Sequence, residues 1–386
     1  MNAAHQRDHS RGRRVSRPAT RRRRLLLEQL EDRRLLALEA ISLADPLVIS
    51  DSASGILSSS SPTSSADGRY IVFLSSAANV VPNDHNGQQD VFVRDIVAGT
   101  SELISINHQG TGAGNNSSDH ASISADGRFV VFTSQASDLV LNDSNGSTRD
   151  VFVRDRQTGV TTLVSVNVAG TGSGSSSSDQ PAISADGSVV VFRSSATNLA
   201  ANDTNGSTAD IFARDLNAGV TTLVSLNAAG DGSGSGASAN PVISGEGRFV
   251  AFTSSAGNLV ASDSNGVQDV FLRDLQTEVT SLVSVNIAGS NGANGMSDSP
   301  RISGDGRFVV FNSAAGDLVP NDSNGVRDVF VRDTLLGTTS LVSVNSAGTS
   351  SGSGVSDSAT ISADGRFVAF RSEASNLHPL DTESTS

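Results

Sequence analysis

One phrase, Ser-Ala-Asp-Gly-Arg or a close variant of it, occurs six times in the 386-residue chain. The copies begin at Ser65, Ser124, Ser184, Ser244, Ser303 and Ser362, so successive copies lie 59 or 60 residues apart. A fixed period of this length predicts a repeat architecture, in which each copy forms one structural unit that packs against the next. The fold must therefore be deduced for one unit and then applied to all of them.

Each unit contains four segments that favour β-strands, which we call a, b, c and d. Strand a ends in Ile-Ser, and an Ala-Asp-Gly turn suited to a tight hairpin follows it. In the second unit, strand b is predicted at 129–134, strand c at 150–155 and strand d at 161–167. A long loop joins b to c, a short turn joins c to d, and a Gly- and Ser-rich stretch, which we interpret as a flexible connection, leads to the next unit.

The phenylalanines distinguish two all-β architectures. All 15 of them fall in strands b or c, and pairs such as Phe129 and Phe132 point to opposite faces of one strand. A strand that is apolar on both faces lies between two other sheets, whereas a flat β-sandwich needs a polar outer face. The sequence therefore predicts a six-bladed β-propeller of four-stranded antiparallel blades.

The repeats resemble those of the TolB-type propeller, which are similar to WD repeats. The shared marks are the Ser-x-Asp-Gly-Arg turn, the strand ending in Phe-x-Ser, and the Asp-Val-Phe-Val-Arg-Asp strand before a Thr-Gly turn. The resemblance covers about residues 46–375, with departures at Ser188, Glu246 and Glu278. TolB-like proteins carry an α/β domain before the propeller, which 40 arginine-rich residues cannot supply. Partner binding known for that family is therefore not transferred.

The two ends of the repeat array are complementary in sequence. The sixth unit has strands a and b and then stops, while residues 46–50 resemble a strand d. We therefore expect the N-terminal segment to complete the last blade, within a propeller domain of residues 41–386. The alternative is a truncated chain with a defective last blade.

Charge separates a head, residues 1–40, from this body. The head holds 11 Arg and 5 acidic residues, a net charge of +6, and the body holds the other 16 Arg and 35 acidic residues, a net charge of −19. This net negative charge disfavours nucleic acid and anionic membranes as partners of the body, and it is compatible with the binding of metal cations. The chain has no Cys, and no apolar run is long enough for a membrane span.

The head is predicted to be a short helix or disordered, and to act in targeting. Leu27 to Leu36 spell L-E-x-L-E-x-R-x-L-L, which resembles a segment that heads many exported and surface proteins of certain environmental bacteria. The resemblance implies export to the periplasm, the cell surface or the extracellular space, followed by removal of the head.

The b–c loops contain the pattern D-x-N-G-x-x-D, with one additional residue in the second and third copies. Calcium prefers carboxylate, amide and carbonyl oxygens, and a glycine lets a short chain wrap around the ion. The predicted ligands of Ca²⁺ are Asp84, Asn86 and Asp90; Asp143, Asn145 and Asp150; Asp203, Asn205 and Asp210; Asp263, Asn265 and Asp269; and Asp322, Asn324 and Asp328. The alternative is structural, because Asn-Gly favours turns and Asp accepts backbone hydrogen bonds in loops.

No residue is singled out as catalytic. Residues that recur in every unit, such as Asp126, Arg154 and Asp155, are interpreted as hydrogen-bonding and charge-pairing scaffold. His85, His108 and His120 belong to the first unit or its exit loop and are the one hint of a unique site.

The sequence thus favours an exported binding or structural module, stabilised by calcium, with a protein or carbohydrate ligand on the face that carries the long loops. One alternative is a calcium-dependent, lactonase-like hydrolase with its site in the central channel. Such an enzyme needs unlike residues from several blades, and these blades look alike. The other alternative is a fragment of a larger modular surface protein.

Overall fold

The computed structural model describes residues 58–379, which contain 22 β-strands and no helix. The strands are β1 Ser59–Ser64, β2 Tyr70–Ser75, β3 Asp90–Asp95, β4 Thr100–Leu103, β5 Ser118–Ile123, β6 Phe129–Ser134, β7 Asp150–Asp155, β8 Val160–Leu163, β9 Ser178–Ile183, β10 Val189–Ser194, β11 Asp210–Asp215, β12 Val220–Leu223, β13 Ser238–Ile243, β14 Phe249–Ser254, β15 Asp269–Asp274, β16 Val279–Leu282, β17 Ser297–Ile302, β18 Phe308–Ser313, β19 Asp328–Asp333, β20 Thr338–Leu341, β21 Ser356–Ile361 and β22 Val368–Ser372.

These strands form six antiparallel sheets in chain order, one for each repeat. Units 1 to 5 are four-stranded sheets with the order a-b-c-d, from β1–β4 to β17–β20, and unit 6 is the pair β21 and β22. Strands b and c of the second unit have the predicted bounds. Strand d ends at Leu163, four residues earlier than predicted. The hydroxyl of Ser165 donates a hydrogen bond to the Asp150 side chain, and this contact takes the place of backbone pairing between strands c and d.

Backbone hydrogen bonds join the a–b turns of successive units. The amide N–H of Ala66 donates to the carbonyl of Ala125 at 3.0 Å, and the series continues through residues 185, 245, 304 and 363 at 2.8–3.0 Å. Each strand a also packs against the strand a of the next unit. The a strands therefore form the inner wall of the array, and the b, c and d strands lie progressively further out, as in a β-propeller.

The core lies between the sheets. Val130, Val131 and Phe132 are consecutive residues of β6, and all three are 0% exposed, so both faces of this strand are covered. Phe132 stacks on Phe152 of β7 with ring centroids 5.9 Å apart, and the equivalent pair stacks in units 1, 3, 4 and 5. A flat sandwich would leave one face of this strand polar and solvated, so the apolar filling on both sides agrees with the propeller prediction.

The recurring Asp and Arg residues hold the short turns, as predicted. Asp126 accepts hydrogen bonds from the Ser124 hydroxyl at 2.6 Å and from the Arg128 amide at 2.9 Å. The Arg128 guanidinium donates two hydrogen bonds to Asp155, at 3.0 and 2.7 Å, and this pairing lowers the pKa of Asp155 to about 2. Arg154 donates to a threonine of strand d at 3.0 Å. These contacts join strands within one sheet, so their recurrence reflects folding.

The Gly- and Ser-rich d–a connections have a defined structure, which differs from the prediction that they are flexible. In unit 2, Val166 and Ser173 form an isolated β-bridge. The amide of Asn167 donates to the carbonyl of Gly172, and its carbonyl accepts from Gly170, both at 2.8 Å. The same bridge recurs after units 1, 3, 4 and 5. Glycine is needed here because the turn at Gly170 has φ +70°.

Three predictions fall partly or wholly outside the part of the chain that the structure describes. These are the helical or disordered head at 1–40, the export segment within it, and the pairing of residues 46–50 with the last blade. Within residues 58–379, unit 6 has only strands a and b, and Phe367, which immediately precedes its second strand, is 65% exposed.

Candidate functional site

The long b–c loops carry the predicted calcium ligands, and the last aspartate of each motif begins strand c. Asp90, Asp150, Asp210, Asp269 and Asp328 are all 0% exposed. Each accepts a hydrogen bond at 2.5–2.6 Å from a serine hydroxyl just beyond strand d. The same hydroxyl accepts the amide N–H of the residue after the aspartate, as between Ser105 and Val91 at 3.0 Å. One carboxylate oxygen of every copy is therefore used to hold strands c and d together.

The other carboxylate oxygen divides the five loops into two classes. In units 1, 4 and 5 it accepts a hydrogen bond from the side-chain amide of the motif asparagine, at 2.6–2.7 Å. In all five loops the asparagine amide also donates to a backbone carbonyl of the following d–a connection, and in units 2 and 3, whose loops have one additional residue, this bond to Gly174 or Gly234 is its one well-aligned hydrogen bond. The asparagine amide of units 2 and 3 still lies near the aspartate and offsets part of the rise in pKa that burial causes, so the additional residue misaligns this contact without removing it.

This misalignment leaves buried oxygens without a hydrogen-bond partner in units 2 and 3. In unit 2 these are Asp143 Oδ2, Asn145 Oδ1 and Asp150 Oδ2, and in unit 3 they are Asn205 Oδ1 and Asp210 Oδ2. In the other three loops only the first aspartate has unpartnered oxygens, which belong to Asp84, Asp263 and Asp322. A buried oxygen without a donor is costly, and a cation or a proton removes that cost.

Burial raises the pKa of the last aspartate in both classes of loop. The pKa of Asp90 and of Asp150 rises to about 7, and that of Asp210 and of Asp269 to about 6. The first aspartate of the same loop adds repulsion between like charges. Within residues 58–379 no three His, Cys, Asp or Glu side chains form a metal-binding group. A cation in these loops would therefore depend on amide, hydroxyl or carbonyl oxygens as well as on carboxylates.

A second site lies in the central channel, where the repeats differ. The third residue of every strand a has a left-handed backbone, with φ between 47° and 54°. The pairing with strand b shifts register around it, as between Asp119 and Ser122. The six residues at this position are Ser61, His120, Gln180, Asn240, Ser299 and Ser358.

These irregular strands line a cavity of about 790 Å³, whose walls contain both polar and apolar side chains. Ser61, His120, Gln180 and Asn240 line it from units 1 to 4, and Arg301 lines it from unit 5. Gln89, which precedes strand c, also lines the cavity, so the cavity reaches the side of the molecule that carries the long loops. Five units therefore contribute unlike side chains to one place.

Hydrogen bonds orient part of this lining. Gln180 Oε1 accepts the backbone N–H of Asn240 at 2.8 Å, which links two units across the channel wall. His120 Nδ1 lies 2.8 Å from Asp119 Oδ1, and this hydrogen bond raises the pKa of His120. Asp119 also pairs with Arg149 at 2.8 Å and accepts a hydrogen bond from the Thr133 hydroxyl.

The three histidines singled out from the sequence do not converge. His120 lies in the channel, whereas His108 lies in an outer groove, where its Nδ1 is 2.9 Å from the carbonyl of Asp138. His85 is exposed on the first b–c loop. The channel residues Gln180, Asn240 and Arg301 were not predicted, although a comparison of the six a strands shows that their positions vary while the flanking scaffold recurs.

Comparison with solved structures returns β-propellers at low sequence identity. A structure of prolyl endopeptidases matches with a TM-score of 0.51 and 12% identity, over 83% of this chain and 40% of that one. TolB from Acinetobacter baumannii matches with a TM-score of 0.41 and 19% identity, over 73% of this chain and 53% of that one. A putative TolB from Agrobacterium tumefaciens matches with a TM-score of 0.45 and 18% identity, over 82% of this chain and 90% of that one.

The chain thus spans about half of the Acinetobacter protein and two fifths of the prolyl endopeptidase. No protein-family model and no curated protein matches the sequence. The described part of the chain contains no helix that could cross a membrane. The sheets and their inner wall of a strands define this part as a β-propeller, with repeats that resemble the TolB type.

Proposed function

We propose that this protein is an exported β-propeller binding module whose ligand, a protein segment or a carbohydrate, enters the central channel from the face with the long loops. The observation that carries the proposal is that the third residue of strand a varies between units whereas the scaffold residues do not. Scaffold residues recur from unit to unit, while the channel position holds serine, histidine, glutamine or asparagine. Folding alone does not require this variety, since serine occupies the position in units 1, 5 and 6 with the same backbone.

The chemistry of the lining supports a polar ligand. Amide, hydroxyl and imidazole groups both donate and accept hydrogen bonds, which suits peptide groups and sugar hydroxyls. A hydrolase in the channel is the alternative function. The part of the lining that the structure describes contains one pair of side chains that a hydrolase could use, His120 and Asp119. Asp119 also forms an ion pair with Arg149. Binding requires no further group, and we therefore favour it.

A triple variant tests the proposal. His120→Ser, Gln180→Ser and Asn240→Ser together place in units 2 to 4 the residue that units 1, 5 and 6 already have. We expect this variant to fold and to lose at least about 10-fold in affinity for any peptide or oligosaccharide that raises the melting temperature of the wild type, because its amide and imidazole contacts are gone. Isothermal titration calorimetry on both proteins measures the loss.

The matched control makes the same kind of change on the opposite face. Gln157→Ser, Asn217→Ser and Gln276→Ser alter exposed residues of three c–d turns. We expect this control to bind like the wild type. Equal binding by the channel variant and the control would refute a channel site.

We further propose that the b–c loops of units 2 and 3 bind calcium and stabilise the propeller. The support is the set of buried oxygens without partners, with Asp150 at 0% exposure as the anchor. The loops of units 1, 4 and 5, although predicted alike from the sequence, use the asparagine amide to donate a hydrogen bond to the last aspartate, so their unpartnered oxygens belong to the first aspartate alone.

The proposed location outside the cytoplasm rests on the sequence of the head. The segment at Leu27 to Leu36 implies export and later removal. Mass spectrometry of the native mature protein tests this proposal. A start beyond about residue 36 is expected, and an intact chain that begins near Met1 in the cytoplasm would contradict it.

A further inference from the structure

In the described part of the chain, Arg301 is the one arginine of the channel lining, and the equivalent residues of the other units are uncharged. The fifth residue of strand a is Thr63, Ser122, Ala182, Val242 and Thr360 in the other units, so small or apolar residues suffice for folding there. In unit 5 this residue is an arginine, it is exposed, and it lines the channel cavity. A long cation at this position adds little to the packing of strand a.

The other arginines paired with strand a residues already have carboxylate partners. Arg149 pairs with Asp119 at 2.8 Å, Arg193 with Asp179 at 3.2 Å, and Arg327 with Asp298 at 2.5 Å. Arg301 has no ion pair within residues 58–379, and its Nη1 donates to the carbonyl of Pro300 at 2.9 Å. Most of its five N–H donors therefore remain available to a ligand.

We infer, on the basis of the proposed binding function, that the channel takes a small polar ligand with a carboxylate, which Arg301 binds. The planar guanidinium matches the two oxygens of a carboxylate. Gln180, Asn240 and Ser61 lie in the same cavity and can bind hydroxyl or amide groups next to that carboxylate. A doubly charged anion is less suited, because Asp119 lies in the lining and the body of the chain carries a net charge of −19.

Such a carboxylate occurs on sugar acids and on the C-terminal ends of peptides. Two pairs of probes distinguish these sources: glucuronate against glucose, and N-acetyl-trialanine against its C-terminal amide. For at least one pair, we expect the wild type to bind the acid about 10-fold more tightly than its neutral partner. Calorimetric titration at constant ionic strength measures both affinities.

Arg301→Thr introduces the residue of units 1 and 6 and is expected to abolish this preference for the acid. Arg301→Gln, which keeps the length of the side chain, should do the same and covers the case that the threonine variant misfolds. Arg366→Thr is the matched control, since Arg366 is an exposed arginine whose nearest carboxylate, in Asp364, is 4.0 Å away. It removes the same charge outside the channel and should leave the preference intact.

Three results would overturn the inference. The preference for the acid could persist without Arg301, or none of the four probes could bind at millimolar concentration. Alternatively, acid and neutral probes could bind equally well and both be lost in the triple serine variant. That last result would refute the carboxylate and leave the proposed channel function standing.

Discussion

Replacing Gly127 with alanine should lower the free energy of unfolding by about 2–4 kcal/mol. This glycine ends the Ala-Asp-Gly turn of unit 2 and has φ +74°, where a side chain is unfavourable. A Cβ atom at this position would also overlap the ring of Tyr70, which belongs to strand b of the preceding unit. The loss therefore combines backbone strain with disturbed packing between two sheets.

Gly146→Ala is the matched control for this first prediction. Gly146 has the same φ of +74°, but no atom lies within 4 Å of the Cβ that alanine would add. Its substitution should cost only the backbone part, about 1–2 kcal/mol. Urea unfolding of the three proteins in the presence of a calcium chelator measures both losses. Equal losses would mean that the contact between turn and ring contributes nothing to the packing of adjacent units.

Asp150→Asn should change the stability in opposite directions in chelator and in calcium. Without a cation, burial raises the pKa of Asp150 to about 7, so the folded state binds this proton more tightly than the unfolded chain does. The stability contributed by the protonated group is present below about pH 4 and is lost as the pH rises through about 7. Asparagine does not titrate. At pH 8 in chelator the variant should therefore be more stable than the wild type, by on the order of 1–3 kcal/mol.

Calcium should reverse that order at pH 8. A cation bound by Asp143, Asn145 and Asp150 stabilises the native state by RT ln(1 + [L]/Kd), which is about 2.7 kcal/mol per site at 100 times Kd. The variant loses a ligand and most of this gain from unit 2. Magnesium should help less, since it holds its water molecules and requires a tighter octahedron. Thermal melting in calcium, magnesium and chelator at equal ionic strength measures these differences.

Asp269→Asn is the control in a loop of the other class. Both oxygens of Asp269 accept hydrogen bonds, from Ser284 and from Asn265. The change in stability of this variant should be the same in calcium and in chelator, because its loop offers no free oxygen at that position. Identical melting curves of the wild type in calcium and in chelator would refute calcium binding and leave the loops with a role in turn formation.

The sequence predicted the scaffold well because the scaffold recurs. Strands b and c of unit 2 have their predicted bounds, since the alternation of Phe and Val between Asp and Ser ends defines them in every copy. Strand d was predicted too long. Its predicted last residues include the β-branched Val164 and Val166. However, the hydroxyl of Ser165 donates a hydrogen bond to Asp150, and a contact between residues 15 positions apart is not evident from the local pattern.

The site was harder to predict for the same reason. A search for residues that recur finds the motif aspartates, and it passes over Gln180, Asn240 and Arg301 because each occurs once. Their proximity depends on the inner wall of a strands, which brings together residues 60 positions apart, such as Gln180 and Asn240. Likewise, five loops with one motif form two classes because an additional residue in units 2 and 3 misaligns the asparagine amide with the last aspartate.

The position of a bound ligand tests the central claim most directly. A crystal structure should be determined with the peptide or oligosaccharide that most raises the melting temperature of the wild type. The account predicts that the ligand lies in the central cavity, in contact with Gln180, Asn240 and Arg301. A ligand found only in the outer grooves between adjacent sheets, with the channel filled by water, would contradict it.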